Sequence, residues 1–198
     1  MQLEANTDPL TGALNRRSGL RRLERMVERG TEFALIFLDL REFKSINDQH
    51  GHPEGDEALK LVAARLRSEV PEPAFIGRLG GEEFVVVLPD SNVEAGRQLA
   101  DRFRESVTAI DTRRWLADRR LTVSIGMTLS KAGGDNPSYM LQRADAALYE
   151  AKRAGRNCVR LQLPAQAEIT PVAPLPGSAQ REARMSTTIT AVLTASDQ

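Results

Sequence analysis

Phe33-Ala34-Leu35-Ile36-Phe37-Leu38 is an unbroken apolar run, and it stops at Asp39. A run this short and this uniformly apolar suits a central strand buried on both faces. Upstream, Leu14 to Arg29 places Leu20, Leu23 and Val27 at helical spacing, and Gly30 stops it. Downstream, Pro53 to Val70 carries Leu59, Val62, Ala63, Leu66 and Val70 on one face and predicts a helix. Phe75 to Leu79 and Phe84 to Leu88 flank Gly80-Gly81-Glu82-Glu83 and read as a hairpin. Ser91 with Glu94 forms a capping box opening a helix that turns Ala95, Leu99, Phe103 and Val107 inward. Leu121 to Leu129 predicts a strand, Asn136-Pro137 starts a helix through Ala151, and Cys158 to Leu163 predicts a last strand. Helices and strands interleave, so the class is α/β or α+β around one sheet with helices packed on it.

The chain has 198 residues, 41% hydrophobic and 27% charged, which is enough for a real core. Basic and acidic residues number 27 each, so the formal net charge is zero and no nucleic-acid partner is expected. The one cysteine, Cys158, rules out an intramolecular disulfide and a thiolate zinc cluster. No stretch approaches the roughly 20 apolar residues of a membrane span, and Met1-Gln2-Leu3-Glu4 does not begin a signal peptide. The chain reads as soluble and cytoplasmic. From Pro164 onward, four prolines with Ala, Ser and Thr and no aromatic residue predict a flexible tail over 164–198 behind a domain at 1–163.

Charge is uneven: residues 31–90 hold 6 basic and 12 acidic side chains, whereas 91–163 hold 13 and 8. Such a split suits metal cations beside a phosphorylated ligand, but charge counting alone favours ordinary surface variation. Asp39 ends a buried strand, where an unpaired carboxylate costs several kcal/mol or protonates. Strand ends are also where ligands bind open sheets. The blander reading is a carboxylate capping the next turn. Glu82 and Glu83 sit at a hairpin tip, where like charges are commonly just solvated. The adjacent glycines let backbone approach a ligand closely. A hairpin beside the central strand would bring Glu82 to Asp39, and two oxygen ligands on one side suit Mg²⁺. Lys44, Asn47 and Asp56 follow at offsets of 5, 8 and 17 from Asp39. An amide with a carboxylate can read a guanine edge, because the carboxylate accepts from N1–H and the exocyclic amine. A charged loop, with Asp56 in a helix's first turn, explains the same residues without a ligand. His52 before Pro53 fits a cap or a loop equally. Lys152 and Arg156 at the end of the last helix suit either the helix dipole or phosphate.

Taken together, the motifs resemble the GGDEF domain of bacterial diguanylate cyclases, in the GGEEF variant. The matching stretches begin at Asp8-Pro9-Leu10-Thr11-Gly12-Ala13-Leu14-Asn15-Arg16-Arg17 and continue with the segment from Asp39 through Asp56. They go on through Arg78-Leu79-Gly80-Gly81-Glu82-Glu83-Phe84, Ser124-Ile125-Gly126 and Ala144-Asp145-Ala146-Ala147-Leu148-Tyr149-Glu150-Ala151-Lys152, and close on Gly155-Arg156-Asn157. The resemblance implies an α+β fold: a central, mainly antiparallel five-stranded sheet flanked by helices, similar to nucleotidyl cyclase and polymerase palm domains. It implies condensation of two GTP into cyclic di-GMP with release of two pyrophosphates, across a transient antiparallel homodimer. The implied metal, Mg²⁺ or Mn²⁺, would be held by Asp39, the carbonyl of Leu40, Glu82 and Glu83. Glu82 would also help deprotonate the attacking 3′-hydroxyl, and Lys44 would stabilise charge on the phosphates. Asn47 and Asp56 would hold guanine, with His52 counted among the GTP-binding residues, and Lys152 and Arg156 would grip the β- and γ-phosphates.

A degenerate GTP-binding or scaffold domain without turnover is the alternative, and intact Asp39, Lys44, Asn47, Asp56 and Glu82 argue against it. A related cyclase with relaxed base choice is a third, and Asp56 argues for guanine. Relatives usually carry a sensory domain ahead of the first motif. Only a few residues precede Asp8 here, so the chain reads as a fragment lacking that domain, with weak activity in isolation. Many relatives also carry an Arg-x-x-Asp product site before the hairpin, where this chain has Pro71 and Ala74. The lost Arg donor and acidic partner predict that this inhibitory site is absent. Calorimetry should therefore find no tight cyclic di-GMP binding that depends on residues 71–74.

Overall fold

The computed structural model describes residues 6–116, 119–131 and 135–165. The elements run α1 (Arg16–Glu28), β1 (Phe33–Leu40), α2 (Phe43–His50), α3 (His52–Glu69), β2 (Phe75–Gly80), β3 (Glu83–Pro89), α4 (Val93–Thr108), β4 (Val123–Leu129), α5 (Pro137–Arg153) and β5 (Val159–Leu161). The five strands form one sheet in the order β2-β3-β1-β4-β5, antiparallel except for the parallel β4–β5 pair. The class is α+β with a mostly antiparallel sheet. Beyond Ala165, the tail expected from Pro164 lies outside the described residues. Among the described residues no helix is long and apolar enough to cross a membrane.

β1 is the central strand, and helices cover both of its faces. Ile36, Leu38 and Leu40 pack with Leu59, Val62 and Leu66 of α3 and Leu99 and Phe103 of α4. Phe33, Leu35 and Phe37 pack with Leu23 of α1 and Met140, Ala144 and Leu148 of α5. That two-sided burial is why β1 carries no polar alternation until Asp39. The register sets Asp39 opposite Glu83 on β3 and Ser124 on β4.

Asparagine side chains start three of the helices. Asn15 accepts from the Ser18 amide at 2.9 Å, Asn92 from the Ala95 amide at 2.9 Å, and Asn136 from the Ser138 amide at 2.8 Å. The expected Ser91–Glu94 capping box is therefore corrected by one residue. Asn92 caps α4, while the Ser91 hydroxyl donates to the Asn92 carbonyl.

Segment 43–50, weighed above as a charged loop, is helix α2. It has one fully buried residue, Ile46, and its N-cap Glu42 sits at φ 55° with no side-chain cap bond. Its helicity comes from tertiary contact, with Phe43 and Ile46 packed against the core under α3.

The turn between β2 and β3 is fixed from outside. Arg78 donates to the Gly81 carbonyl through Nε at 3.1 Å and Nη2 at 2.7 Å, and to Asp8 Oδ1 through Nη1 at 3.1 Å. Asp8 also accepts from the Thr11 hydroxyl at 2.6 Å and the Thr11 amide at 2.9 Å. One guanidinium thus ties the N-terminal loop to the hairpin that carries Glu82 and Glu83.

Two outcomes follow from this packing. A Cβ on Gly126 would stand 2.1 Å from the Ala144 carbonyl and 2.2 Å from the Leu148 amide, both main-chain atoms of α5. Gly126→Ala should cost about 3 kcal/mol in urea unfolding, because α5 must lift from β4. Burial alone would raise the Asp8 carboxyl, but the Thr11 and Arg78 hydrogen bonds outweigh it and hold it below its ordinary value. A lowered carboxylate contributes stability above the ordinary aspartate range and loses it as pH falls through the lowered value. Asp8→Asn should therefore destabilise by about 1 kcal/mol at pH 7, and the gap should shrink at pH 3 when both proteins are unfolded in urea.

Candidate active site

The candidate site gathers where β1 ends. Side chains alternate across a strand, so Asp39 follows Phe33, Leu35 and Phe37 onto the face covered by α1 and α5. Glu83 is its direct partner on β3 and points to the same face. Glu82 precedes Glu83 in the turn, and its carbonyl accepts from the Leu40 amide at 3.3 Å. The expectation that Glu82 stands beside Asp39 is thus refined by register: Glu83 is opposite Asp39, and Glu82 is opposite Leu40. The end of β1 holds Asp39 and Leu40 next to the whole Glu82-Glu83 pair.

α5 closes this corner. Lys152 in its last turn places Nζ 2.8 Å from Asp39 Oδ2, with side-chain exposures of 37% and 14%. Asp145 lies seven residues earlier on the same helix face, and its charge also reaches Glu83. Burial first, then the facing Asp39 charge, push the Glu83 carboxyl above its ordinary value; Lys152 opposes this, and Glu82 and Asp145 add to it. Like charges are therefore concentrated here with the Lys152 ammonium among them.

Oxygen donors crowded under a negative potential fit a hard divalent cation. Among the described residues no three His, Cys, Asp or Glu side chains converge as a ready-made cage. A cation at this corner would draw on carboxylates of the Asp39, Glu82 and Glu83 set and a main-chain carbonyl, and fill its remaining positions with water or ligand oxygens. Mg²⁺ has that habit.

A second group lies across α2 and α3. Asn47 is in the last turn of α2, and its side chain packs against Gly55, the residue before Asp56. Asp56 and His52 are exposed on the first turns of α3, and Lys44 is exposed on α2. Arg156 is exposed just past α5, at φ 65°, between Gly155 at 105° and Asn157 at 44°. Lys44, His52, Asp56 and Arg156 form no ion pair among the described residues. The fold thus joins Asp39, Glu82, Glu83 and Lys152 in one cluster and sets Asn47 beside Asp56 in another. Sequence reasoning gave no role to Asp145 or to the Asp8–Arg78 tie. The i, i+7 spacing of Asp145 and Lys152 was the available signal for the first.

Comparison with known proteins places this geometry. The family model described as diguanylate cyclase, GGDEF domain, matches residues 5–158. Diguanylate cyclase DgcP of Pseudomonas aeruginosa is 44% identical over 158 residues, covering 78% of this chain and 23% of that protein. Response regulator PleD of Caulobacter vibrioides is 40% identical over 164 residues, covering 78% of this chain and 36% of that one. The chain therefore spans about a quarter to a third of the length of these curated relatives. Among solved structures, the GGDEF domain of DgcB from Caulobacter crescentus in complex with c-di-GMP superposes with a TM-score of 0.73 at 33% identity, covering 81% of this chain and 98% of that one. With a family match over most of its length and the same sheet, the chain belongs to the GGDEF domain family of diguanylate cyclases.

Proposed function

We propose that the chain is an active diguanylate cyclase domain that condenses two GTP into cyclic di-GMP and releases two pyrophosphates. The observation that carries this reading is the acidic corner of Asp39, Glu82 and Glu83 at the end of β1, with Lys152 Nζ 2.8 Å from Asp39. Asp39, the Leu40 carbonyl, Glu82 and Glu83 are the residues that would hold Mg²⁺, or Mn²⁺ in its place. When bound, such an ion supplies Lewis-acid polarisation of the phosphates and neutralises their charge.

The chain's own residues do the rest by position and charge. Glu82 accepts the proton of the ribose 3′-hydroxyl that attacks the α-phosphate of the facing GTP. Lys44 stabilises the charge that accumulates on the phosphates as the pyrophosphate departs. Lys152 and Arg156 hold the β- and γ-phosphates, Lys as a point charge and Arg through its planar fork. Asp56 accepts from guanine N1–H and the exocyclic amine, while Asn47 completes the edge and His52 borders it. Each domain holds one GTP, so turnover needs two domains face to face, as a transient antiparallel homodimer.

Incubation with GTP and Mg²⁺ should yield cyclic di-GMP, with specific activity rising as protein concentration rises. Glu82→Gln should lower turnover by about two orders of magnitude or more while leaving the melting temperature near that of the parent. GTP binding without product at high protein concentration would instead favour a degenerate domain. Near-normal turnover in Glu82→Gln would remove that residue from the mechanism.

A further inference from the structure

Gly55 lies within α3, fully buried, and its φ is not among the left-handed ones. The backbone there does not require glycine, and glycine inside a helix is unfavourable relative to alanine. Space explains it. A Cβ built on Gly55 would stand 1.9 Å from Asn47 Oδ1 and 2.9 Å from Asn47 Cγ, with the Phe43 ring at 3.2 Å. The carboxamide of Asn47 occupies the place where a side chain at 55 would be. Its Oδ1 is buried there with no hydrogen-bond partner among the described residues. An oxygen enclosed in this way leaves Nδ2 as the group Asn47 can offer a ligand, so it meets the base as a donor.

We propose that Gly55 is a positioning residue for nucleobase recognition. Its missing side chain seats the Asn47 carboxamide against α3, beside Asp56, and fixes which end of the amide faces the guanine. The proposal rests on the reading of Asn47 as a guanine contact. It adds that the contact is donor-only and that it is enforced by the residue preceding the carboxylate partner. An alanine at 55 must expel the amide from its seat, and binding then loses one hydrogen bond to the base.

A double-variant cycle in the full chain tests this. The probe is 3′-deoxy-GTP with Mg²⁺, which lacks the attacking hydroxyl and binds without turnover, measured by calorimetry against 3′-deoxy-ATP. Gly55→Ala should weaken 3′-deoxy-GTP about tenfold, the loss of about one hydrogen bond, and leave 3′-deoxy-ATP unchanged. In an Asn47→Ala background the same alanine should change 3′-deoxy-GTP binding less than about twofold, because no amide remains to displace. Equal losses in both backgrounds, or equal losses for both nucleotides, would overturn the proposal by showing general distortion. An undiminished affinity in Gly55→Ala, with Asn47→Ala weakened, would overturn it while sparing the guanine reading. An undiminished affinity in Asn47→Ala would overturn the guanine reading and the proposal with it. Should Gly55→Ala alone fail to fold, Gly55→Ala/Asn47→Ala must regain a cooperative melt; a double variant as unfolded as the single would count against the seat.

Discussion

Two carboxylates, Asp39 and Glu83, face each other at the end of a strand that is otherwise buried, with Glu82 next in the turn, and the surrounding structure is arranged to keep them there. Asp39 and Glu83 are fixed opposite each other by seven consecutive pairs between β1 and β3, so neither can withdraw without breaking the ladder. Burial first, and then the facing Asp39 charge, push the Glu83 carboxyl up, and the Lys152 ammonium offsets part of that push. A folded protein relieves such a cluster by spreading it, protonating it or meeting it with cations. Here the ladder forbids the first. The position of the acids is thus dictated by backbone pairing, while their charge is left for something else to balance.

The hairpin that delivers Glu82 and Glu83 has no stable turn chemistry of its own beyond two glycines, and Gly81 takes φ 39°. Arg78 supplies the missing constraint by spanning from the Gly81 carbonyl to Asp8, seventy residues earlier. Its side chain is 15% exposed, so the guanidinium works in a partly dry setting where a charge-assisted hydrogen bond counts for more. Asp8-Pro9-Leu10-Thr11 is therefore part of the acidic corner's support, acting through Arg78.

Much of this was legible in the residues, because the strongest signals are local. The uninterrupted apolar run at 33–38 marks a strand with two covered faces, the paired glycines mark a turn, and Asn136-Pro137 marks a helix start. Readings failed where structure depends on distant partners. Helix α2 has one fully buried residue and no side-chain cap, and Arg119 straps it by donating to Ser45 Oγ at 3.0 Å and Gln49 Oε1 at 2.9 Å. Nothing in 43–50 itself announces that strap. The residues alone set Glu82 beside Asp39, and the ladder pairs Glu83 with it instead, for a related reason. A one-residue change in register exchanges the two faces of a strand, and register is set by the whole sheet. The cap of α4 slipped by one residue because Ser91 and Asn92 are both competent N-caps, and only the path of the chain out of β3 selects between them.

The acidic corner stands at the end of β1 and Asn47 stands on α2, and one short segment connects them. Asp39 projects toward α5, Leu40 packs under α3, and the Arg41 amide donates to the Thr122 carbonyl at 2.9 Å, holding the chain to the approach of β4. Glu42 then adopts φ 55°, a left-handed conformation that costs a non-glycine residue on the order of 1 kcal/mol. Arg41 at 3.0 Å and Arg119 at 3.8 Å pair with its carboxylate. That single reversal lets α2 start four residues after Asp39 and fold back over α3, so that Asn47 reaches Gly55. The carboxylates and the amide are therefore not independently adjustable. A shift of β1 along its ladder would carry the acids one way through the sheet and the amide another through α2, and the packing of α2 on α3 resists both.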